Sequence, residues 1–103
     1  MAKIVVLFNL KADADVSAYE NWARTTDLPT VNDLKSVDQF EVLKTVSMLG
    51  TDQSPPYQYV EVLDVNDFEV FGQEVSTETM TQVAAEFQGF ADAPMFIVTE
   101  EIK

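Results

Sequence analysis

The chain contains 103 residues, which is enough for one folded domain and too few for two. Six Lys and Arg residues against 18 Asp and Glu give a formal net charge of −12. This balance argues against binding to nucleic acid or to an anionic membrane, because phosphate contacts require clustered cations. The sequence contains no Cys and no His, which excludes disulfides, metal sites built on these residues and a Ser-His-Asp triad.

The sequence also gives no sign of a cofactor, a leader or a membrane anchor. It contains no cofactor fingerprint, and its acidic residues lack the spacing of a calcium-binding loop. The apolar run from Ile4 to Phe8 is too short for a secretory signal, and no stretch approaches the roughly 20 apolar residues of a membrane span. We therefore predict a cytoplasmic protein without metal or cofactor, whose chemistry depends on carboxylates, Tyr, Lys, Trp and amides.

The first half of the chain predicts a strand, a broken helix and a second strand. Ile4–Leu10 is apolar on both faces, which is typical of a strand that is covered on both sides. Asp15 can cap a helix over residues 16–26. Pro29 interrupts this helix because it cannot donate to the helical ladder, and it can begin a short second helix. The second strand is predicted over residues 38–49.

The second half predicts a loop, a third strand, two helices and a last strand. Turn-forming residues fill the segment from Gly50 to Pro56. Asn66 and Glu69 have the spacing of a capping box, which would begin the first of the two helices. The predicted bounds are 57–63 for the strand, 66–75 for the first helix, 76 or 77 to Gly89 for the second helix, and 95–102 for the last strand.

The resulting order, β-α-β-β-α-β, predicts an α+β protein with the ferredoxin-like fold in a single domain over residues 1–103. This fold has a four-stranded antiparallel sheet with helices on one face. We predict that Tyr57, Tyr59, Glu61 and Leu63 lie on the uncovered face, which would then be a large apolar patch. A second copy of the chain would cover this patch, so we predict a homodimer with sheets packed face to face. A monomer whose C-terminus forms a lid is the alternative.

Asp27 is the first candidate functional residue. It follows Tyr19 and Trp22 at the end of the broken helix. At the mouth of a cavity with an aromatic wall, its carboxylate would lose hydration, which raises the pKa toward the range of a general base. The alternative is a solvated capping residue beside a kinked hydrophobic seam.

Lys44 and Glu61 form the second candidate group. They lie opposite each other in the hairpin register that we predict, so they would form an ion pair. This pair is either a surface feature at a wet sheet edge or the polar anchor of a ligand cavity. In the second case Phe40, Tyr57 and Tyr59 would line the walls. A register shift of two residues would keep the faces and change the partners.

Three segments resemble the REDY-like, HapK-like family of the dimeric α/β-barrel superfamily. They are Lys3–Lys11, the stretch from Tyr19 through Trp22 to Asp27-Leu28-Pro29, and the acidic C-terminal strand. The resemblance implies a homodimeric barrel with a small-molecule pocket between sheet and helices, no cofactor, and a flat pyrrole-type ligand from a prodigiosin-type pigment pathway. Many relatives carry a His where this chain has Asp27, so an activity that needs that imidazole is not expected.

Together these observations predict a small-molecule-binding protein or enzyme of pyrrole secondary metabolism. In the enzymatic form, Asp27 is the acid or base of a condensation or cyclisation, and Lys44 and Glu61 hold polar atoms of the ligand. Two alternatives remain open. One is a non-catalytic carrier that stabilises a reactive pyrrole, and the other is a cofactor-free monooxygenase.

Overall fold

The computed structural model describes residues 2–102. Its strands and helices follow the predicted β-α-β-β-α-β order, with each helical region divided into parts. In the described part of the chain, every helix is too short or too polar to span a bilayer. The elements are β1 (Ala2–Leu10), α1 (Val16–Trp22), a π-helical segment (Ala23–Asp27), α2 (Leu28–Asn32), β2 (Val37–Lys44), β3 (Tyr59–Val65), α3 (Phe68–Val75), α4 (Glu78–Phe90) and β4 (Ala91–Glu100).

The four strands form one antiparallel sheet in the order β2-β3-β1-β4. β1 and β3 are the central strands, and β2 and β4 are the edges. The helices cover one face, on which Val6 and Phe8 of β1 are fully buried. This arrangement confirms the predicted α+β class and the ferredoxin-like fold.

The prediction of which β3 residues face away from the helices is wrong. Tyr59, Glu61 and Leu63 are buried under the helices, whereas Val60 and Val62 point to the other face and are half-buried. The alternation along β3 predicts correctly which residues share a face, but it does not say which of the two faces packs against the helices. Packing decides it, because the ring of Tyr59 stacks on Phe8 at 5.5 Å between centroids.

The predicted β2–β3 register is also wrong, by two residues. Val42 lies opposite Glu61, and Lys44 lies opposite Tyr59. β2 ends at Lys44 rather than near residue 49, so the connection is longer than predicted. A shift of two residues keeps every side chain on its face, so the hydrophobic pattern cannot distinguish the two registers.

The helix ends differ from the predictions in two places. Asp67, not Asn66, caps α3, because its carboxylate accepts hydrogen bonds from the N–H groups of Glu69 and Val70. Gly89 does not end α4, which continues to Phe90 and passes directly into β4. β4 therefore begins before Pro94, which an edge strand tolerates.

Candidate functional site

A cavity of about 360 Å³ lies between the sheet and the helices, within the size range of small-molecule pockets. It reaches the surface between α4 and β4, where the lining residues Phe96 and Val98 are 57% and 66% exposed. Its lining is apolar except for Asp27, Glu61 and Gln88. The apolar lining residues are Ile4, Val6, Val31, Phe40, Leu63, Phe71, Met80, Val83, Ala84, Phe87, Phe96 and Val98.

The π-helical segment turns Asp27 toward this cavity. Tyr19, Ala23, Asp27 and Val31 are buried at intervals of four residues. In a regular α-helix each residue lies about 100° further around the axis than the residue before it. Over the interval from Tyr19 to Val31, this would place Val31 about 120° away from Tyr19. The N–H of Leu28 instead donates to the carbonyl of Ala23, five residues back. This wider turn contains one extra residue, so Asp27 and Val31 lie on the buried face together with Tyr19.

Pro29 explains why the wide turn occurs at this point. In a straight α-helix its ring would clash with the carbonyl four residues earlier, and the π-helical segment ends two residues before it. The sequence predicted a break in the helix here, but the chain keeps its helical path through the wide turn into α2. The change of pitch that accommodates Pro29 is thus the same feature that directs Asp27 inward.

Glu61 lies at the centre of β3, between Val6 of β1 and Val42 of β2. Its side chain faces the helices and is 5% exposed. Within residues 2–102, its Oε2 atom has no hydrogen-bond partner. The predicted ion pair with Lys44 does not form, because the Lys44 Nζ atom lies 3.0 Å from Oε2 of Glu20 instead. The two-residue difference in register places Val42, not Lys44, opposite Glu61.

Burial raises the pKa of both cavity carboxyls to values near neutral pH. It raises the pKa of Asp27 to about 7. It raises the pKa of Glu61 to about 8, with a further contribution from the negative charge of Asp27. Because the two charges disfavour each other in an apolar surrounding, the pair holds at least one proton near pH 7. One carboxyl can therefore donate a proton while the other accepts one.

The hydroxyl of Tyr19 lies near the same pair. Burial and the negative charges of Glu61 and Asp27 raise the pKa of this phenol, so it stays protonated. Like Glu61 Oε2, the hydroxyl oxygen has no hydrogen-bond partner in the part of the chain that the structure describes. No group of three acidic side chains among residues 2–102 could hold a metal ion. Asp27, Glu61 and the protonated Tyr19 phenol lie close together, and groups of this kind can exchange protons.

Tyr19, Lys44 and Tyr59 line a second depression of about 250 Å³. The Tyr59 hydroxyl donates a hydrogen bond to Glu20 Oε2 at 2.7 Å. Together with Lys44, this bond lowers the pKa of Glu20. Lys44 thus neutralises Glu20 rather than a cavity carboxylate. Of the site residues predicted from the sequence, Asp27, Phe40 and Glu61 line the main cavity. Tyr19, Lys44 and Tyr59 line the second depression instead.

Two further predicted site residues lie elsewhere. The indole N–H of Trp22 donates to Glu86 at 2.9 Å, and its ring packs against Tyr19 and Phe90. Tyr57 precedes β3, and its hydroxyl contacts the sulfur of Met95 at 3.2 Å, on the sheet face away from the helices. Met80, Val83 and Phe87 lie on one face of α4, as is typical of residues in a helix core. They also line the cavity, and their shared face on α4 was the available signal.

This fold and this site define a ferredoxin-like α+β protein with a carboxyl pair in a cavity between sheet and helices. The family described as REDY-like protein HapK matches residues 2–102. The chain therefore belongs to the REDY-like HapK family. Among curated proteins, no match to this chain was found.

Solved structures show the same fold. HapK from Hahella chejuensis superimposes with a TM-score of 0.80 at 28% identity, covering 99% of this chain and 93% of its own. SnoaB from Streptomyces nogalater, described as a cofactor-independent oxygenase, gives 0.74 at 13% identity, with 99% and 93% coverage. A dimeric protein of unknown function with a ferredoxin-like fold from Bacteroides fragilis gives 0.69 at 11% identity, with 97% and 95% coverage.

Proposed function

We propose that the protein binds a flat aromatic small molecule in the main cavity and transfers protons to or from it with the Asp27–Glu61 pair. The observation that carries this proposal is the position of two buried carboxyls, titrating near neutrality, in an otherwise apolar cavity. Ligand sites typically combine such an apolar wall with a few convergent polar groups. Perturbed acids in a cavity are typical of functional sites.

The residues of the cavity suggest distinct roles. Asp27, which lies beside a change of helical pitch, is the proposed acid or base. Glu61 holds a polar atom of the ligand and exchanges the proton with Asp27. Phe40 forms part of the wall. Tyr19, Trp22, Lys44 and Tyr59 act indirectly, by packing and hydrogen bonds that hold the first helical region against the sheet.

Membership of the HapK family supports a place in prodigiosin-type pyrrole metabolism, with an acid/base-assisted condensation or cyclisation of an aromatic intermediate. Two other functions use the same cavity. A carrier would shield a reactive pyrrole without changing it. A cofactor-free monooxygenase would use the carboxyl pair to ionise a substrate that then reacts with oxygen. The structural neighbour SnoaB is described as a cofactor-independent oxygenase.

We also propose that the working unit is a homodimer. The sheet face away from the helices carries an uninterrupted group of apolar side chains on three adjacent strands, continued by Leu43 on β2. An apolar patch of this kind is typical of an association surface. A second copy of the chain presents the same surface and would close the two sheets into a barrel. The group consists of Val5, Leu7, Val60, Val62, Met95 and Ile97.

The proposed activity is tested by screening the protein against mono- and bipyrrole intermediates with thermal shift and mass spectrometry, in wild type and Asp27→Asn. A bound ligand stabilises the fold by RT ln(1 + [L]/Kd), about 2.7 kcal/mol at a hundredfold excess over Kd. We expect Asp27→Asn to lose turnover while its binding of the ligand stays detectable. Asp13→Asn, which removes an exposed acid, is the matched control.

Two activity measurements on the same proteins separate the alternatives. Unchanged pathway yield with Asp27→Asn would identify a carrier, and oxygen consumption during turnover would identify a monooxygenase. If no intermediate raised the unfolding temperature of the wild-type protein, the binding function itself would be wrong.

A further inference from the structure

We infer that the main cavity selects a planar aromatic cation, whose charged N–H group binds the carboxylates of Asp27 and Glu61. An amidinium or a protonated nitrogen heterocycle has this chemistry. The inference rests on the proposed function and specifies the class of ligand. It depends on the contacts and the charges around the two carboxyls rather than on the reaction.

Glu61 has hydrogen-bonding capacity that the described residues leave unfilled. Its side chain is 95% removed from solvent, and Oε2 has no partner among the residues that the structure describes. A buried carboxylate oxygen without a donor destabilises a folded protein. Asp27, on the facing helical layer, is equally buried, and among residues 2–102 neither carboxyl is paired with a cation. A ligand that donates N–H groups would supply what the chain does not.

The charges around the cavity favour a cationic ligand over an anionic one. Of the residues described by the structure, those that line the cavity include no Lys or Arg. Lys44, which the sequence had placed beside Glu61, is occupied by Glu20. The whole chain carries a net charge of −12, which attracts cations and repels anions over a distance set by the salt concentration. An anionic ligand would meet two carboxyls and no counter-charge.

The remaining cavity wall suits a flat ring in both shape and polarity. Val6 and Phe40 from the strands and Phe87 from α4 offer only apolar contact, which suits a flat ring. The other polar groups that face the pair are uncharged, namely the Tyr19 hydroxyl from α1 and the Gln88 amide from α4. Within the described part of the cavity wall, a charged N–H group therefore has Asp27 and Glu61 as its ionic partners.

Proton exchange with solvent gives an independent signature. A bound cation favours the ionised form of a carboxyl, so it lowers the pKa of the pair and releases protons near pH 7.5. A purely apolar ligand would strengthen desolvation and have the opposite effect, proton uptake. Titration calorimetry in two buffers of different ionisation enthalpy measures the sign directly.

The experiment compares three probes of the same size and shape: benzamidine as the cation, benzamide as its neutral analogue and benzoate as the anion. We expect wild-type protein at pH 7.5 to bind benzamidine about tenfold more tightly than benzamide, the equivalent of one charge-assisted hydrogen bond, and benzoate most weakly. Benzamidine should release protons. Glu61→Gln should reduce the preference to about threefold or less, whereas the surface control Asp13→Asn should preserve it.

The possible outcomes are distinguishable. Binding of benzamide or benzoate as tight as that of benzamidine, or proton uptake with benzamidine, would overturn the inference and leave the proposed function standing. No binding of any probe to the wild-type protein would overturn both. The proton count is measured on the wild-type chain, so the test does not depend on how well the Glu61→Gln variant folds.

Discussion

Asp27 and Glu61 belong to opposite layers of the molecule, and the negative charge of Asp27 raises the pKa of Glu61 across the cavity. Asp27 ends the π-helical segment, and Glu61 lies at the centre of the sheet. Both are 5% exposed. Two buried acids in this position destabilise the folded state when they ionise. The packing of the fold does not require acids at these two positions.

The first prediction concerns the pH dependence of folding. Asp27 and Glu61 hold their protons up to about pH 7 and about pH 8, whereas in the unfolded chain they lose them near pH 4. The folded state therefore binds more protons in this window, and stability falls as pH rises through it. We expect the free energy of unfolding to decrease by a few kcal/mol between pH 5.5 and pH 9, on the order of ten degrees in Tm.

Isosteric variants identify the source of this slope. Asp27→Asn and Glu61→Gln should each flatten the Tm profile and raise Tm at pH 9 relative to wild type. Asp13→Asn, an exposed acid, should leave the slope unchanged. An equal slope in all four proteins would show that repulsion from the net charge of −12, rather than the buried pair, controls the pH dependence.

The second prediction concerns Lys44, which bonds Glu20 in the structure. Lys44→Met should leave the Tm slope between pH 5.5 and pH 9 unchanged, because Lys44 does not neutralise Glu61. The cost in stability should be about 0.5 kcal/mol, as for other exposed ion pairs. Thermal unfolding across this pH range measures the slope, and urea unfolding at pH 6 measures the loss of stability. A steeper slope in the variant would instead support the Lys44–Glu61 ion pair that the sequence predicts.

Tyr59 provides the matched comparison for Lys44. Its hydroxyl donates to the same carboxylate of Glu20 at 2.7 Å, and its ring is buried between Phe8 and Tyr19. Tyr59→Phe keeps the ring and removes one hydrogen bond to a charged acceptor, so we expect a loss of about 1.5 to 3 kcal/mol. This variant should therefore be clearly less stable than Lys44→Met.

Much of the fold was predictable because it depends on local periodicity. The β-α-β-β-α-β order of the elements follows from patterns that a single sequence contains. The register at Lys44 was not predictable, because a shift by two residues preserves each face. The inward direction of Asp27 was signalled only by four-residue spacing from Tyr19 to Val31, which is typical of a wide helical turn rather than of a regular helix.

The third prediction concerns the uncovered sheet face. Ile97 lies on β4 opposite Val5, in the middle of the apolar group proposed to contact a second copy. Ile97→Glu places a charge there without a partner, which a buried interface does not tolerate. In sedimentation velocity at micromolar concentration we expect wild type at twice the mass of the chain and the variant at the mass of a monomer. Gln82→Glu adds the same charge to an exposed position of α4 and should remain dimeric.

The last prediction uses two adjacent alanines of α4 that differ in one respect. Ala84 lines the main cavity, and Ala85 does not, although both are exposed. Leu is nearly as favourable as Ala in a helix, so neither Ala84→Leu nor Ala85→Leu should lower Tm appreciably. The larger side chain at residue 84 would occupy space near the cavity mouth, so benzamidine affinity should fall about tenfold or more in Ala84→Leu and stay unchanged in Ala85→Leu. Equal affinities in the two variants, measured by calorimetry, would place the binding site outside this cavity.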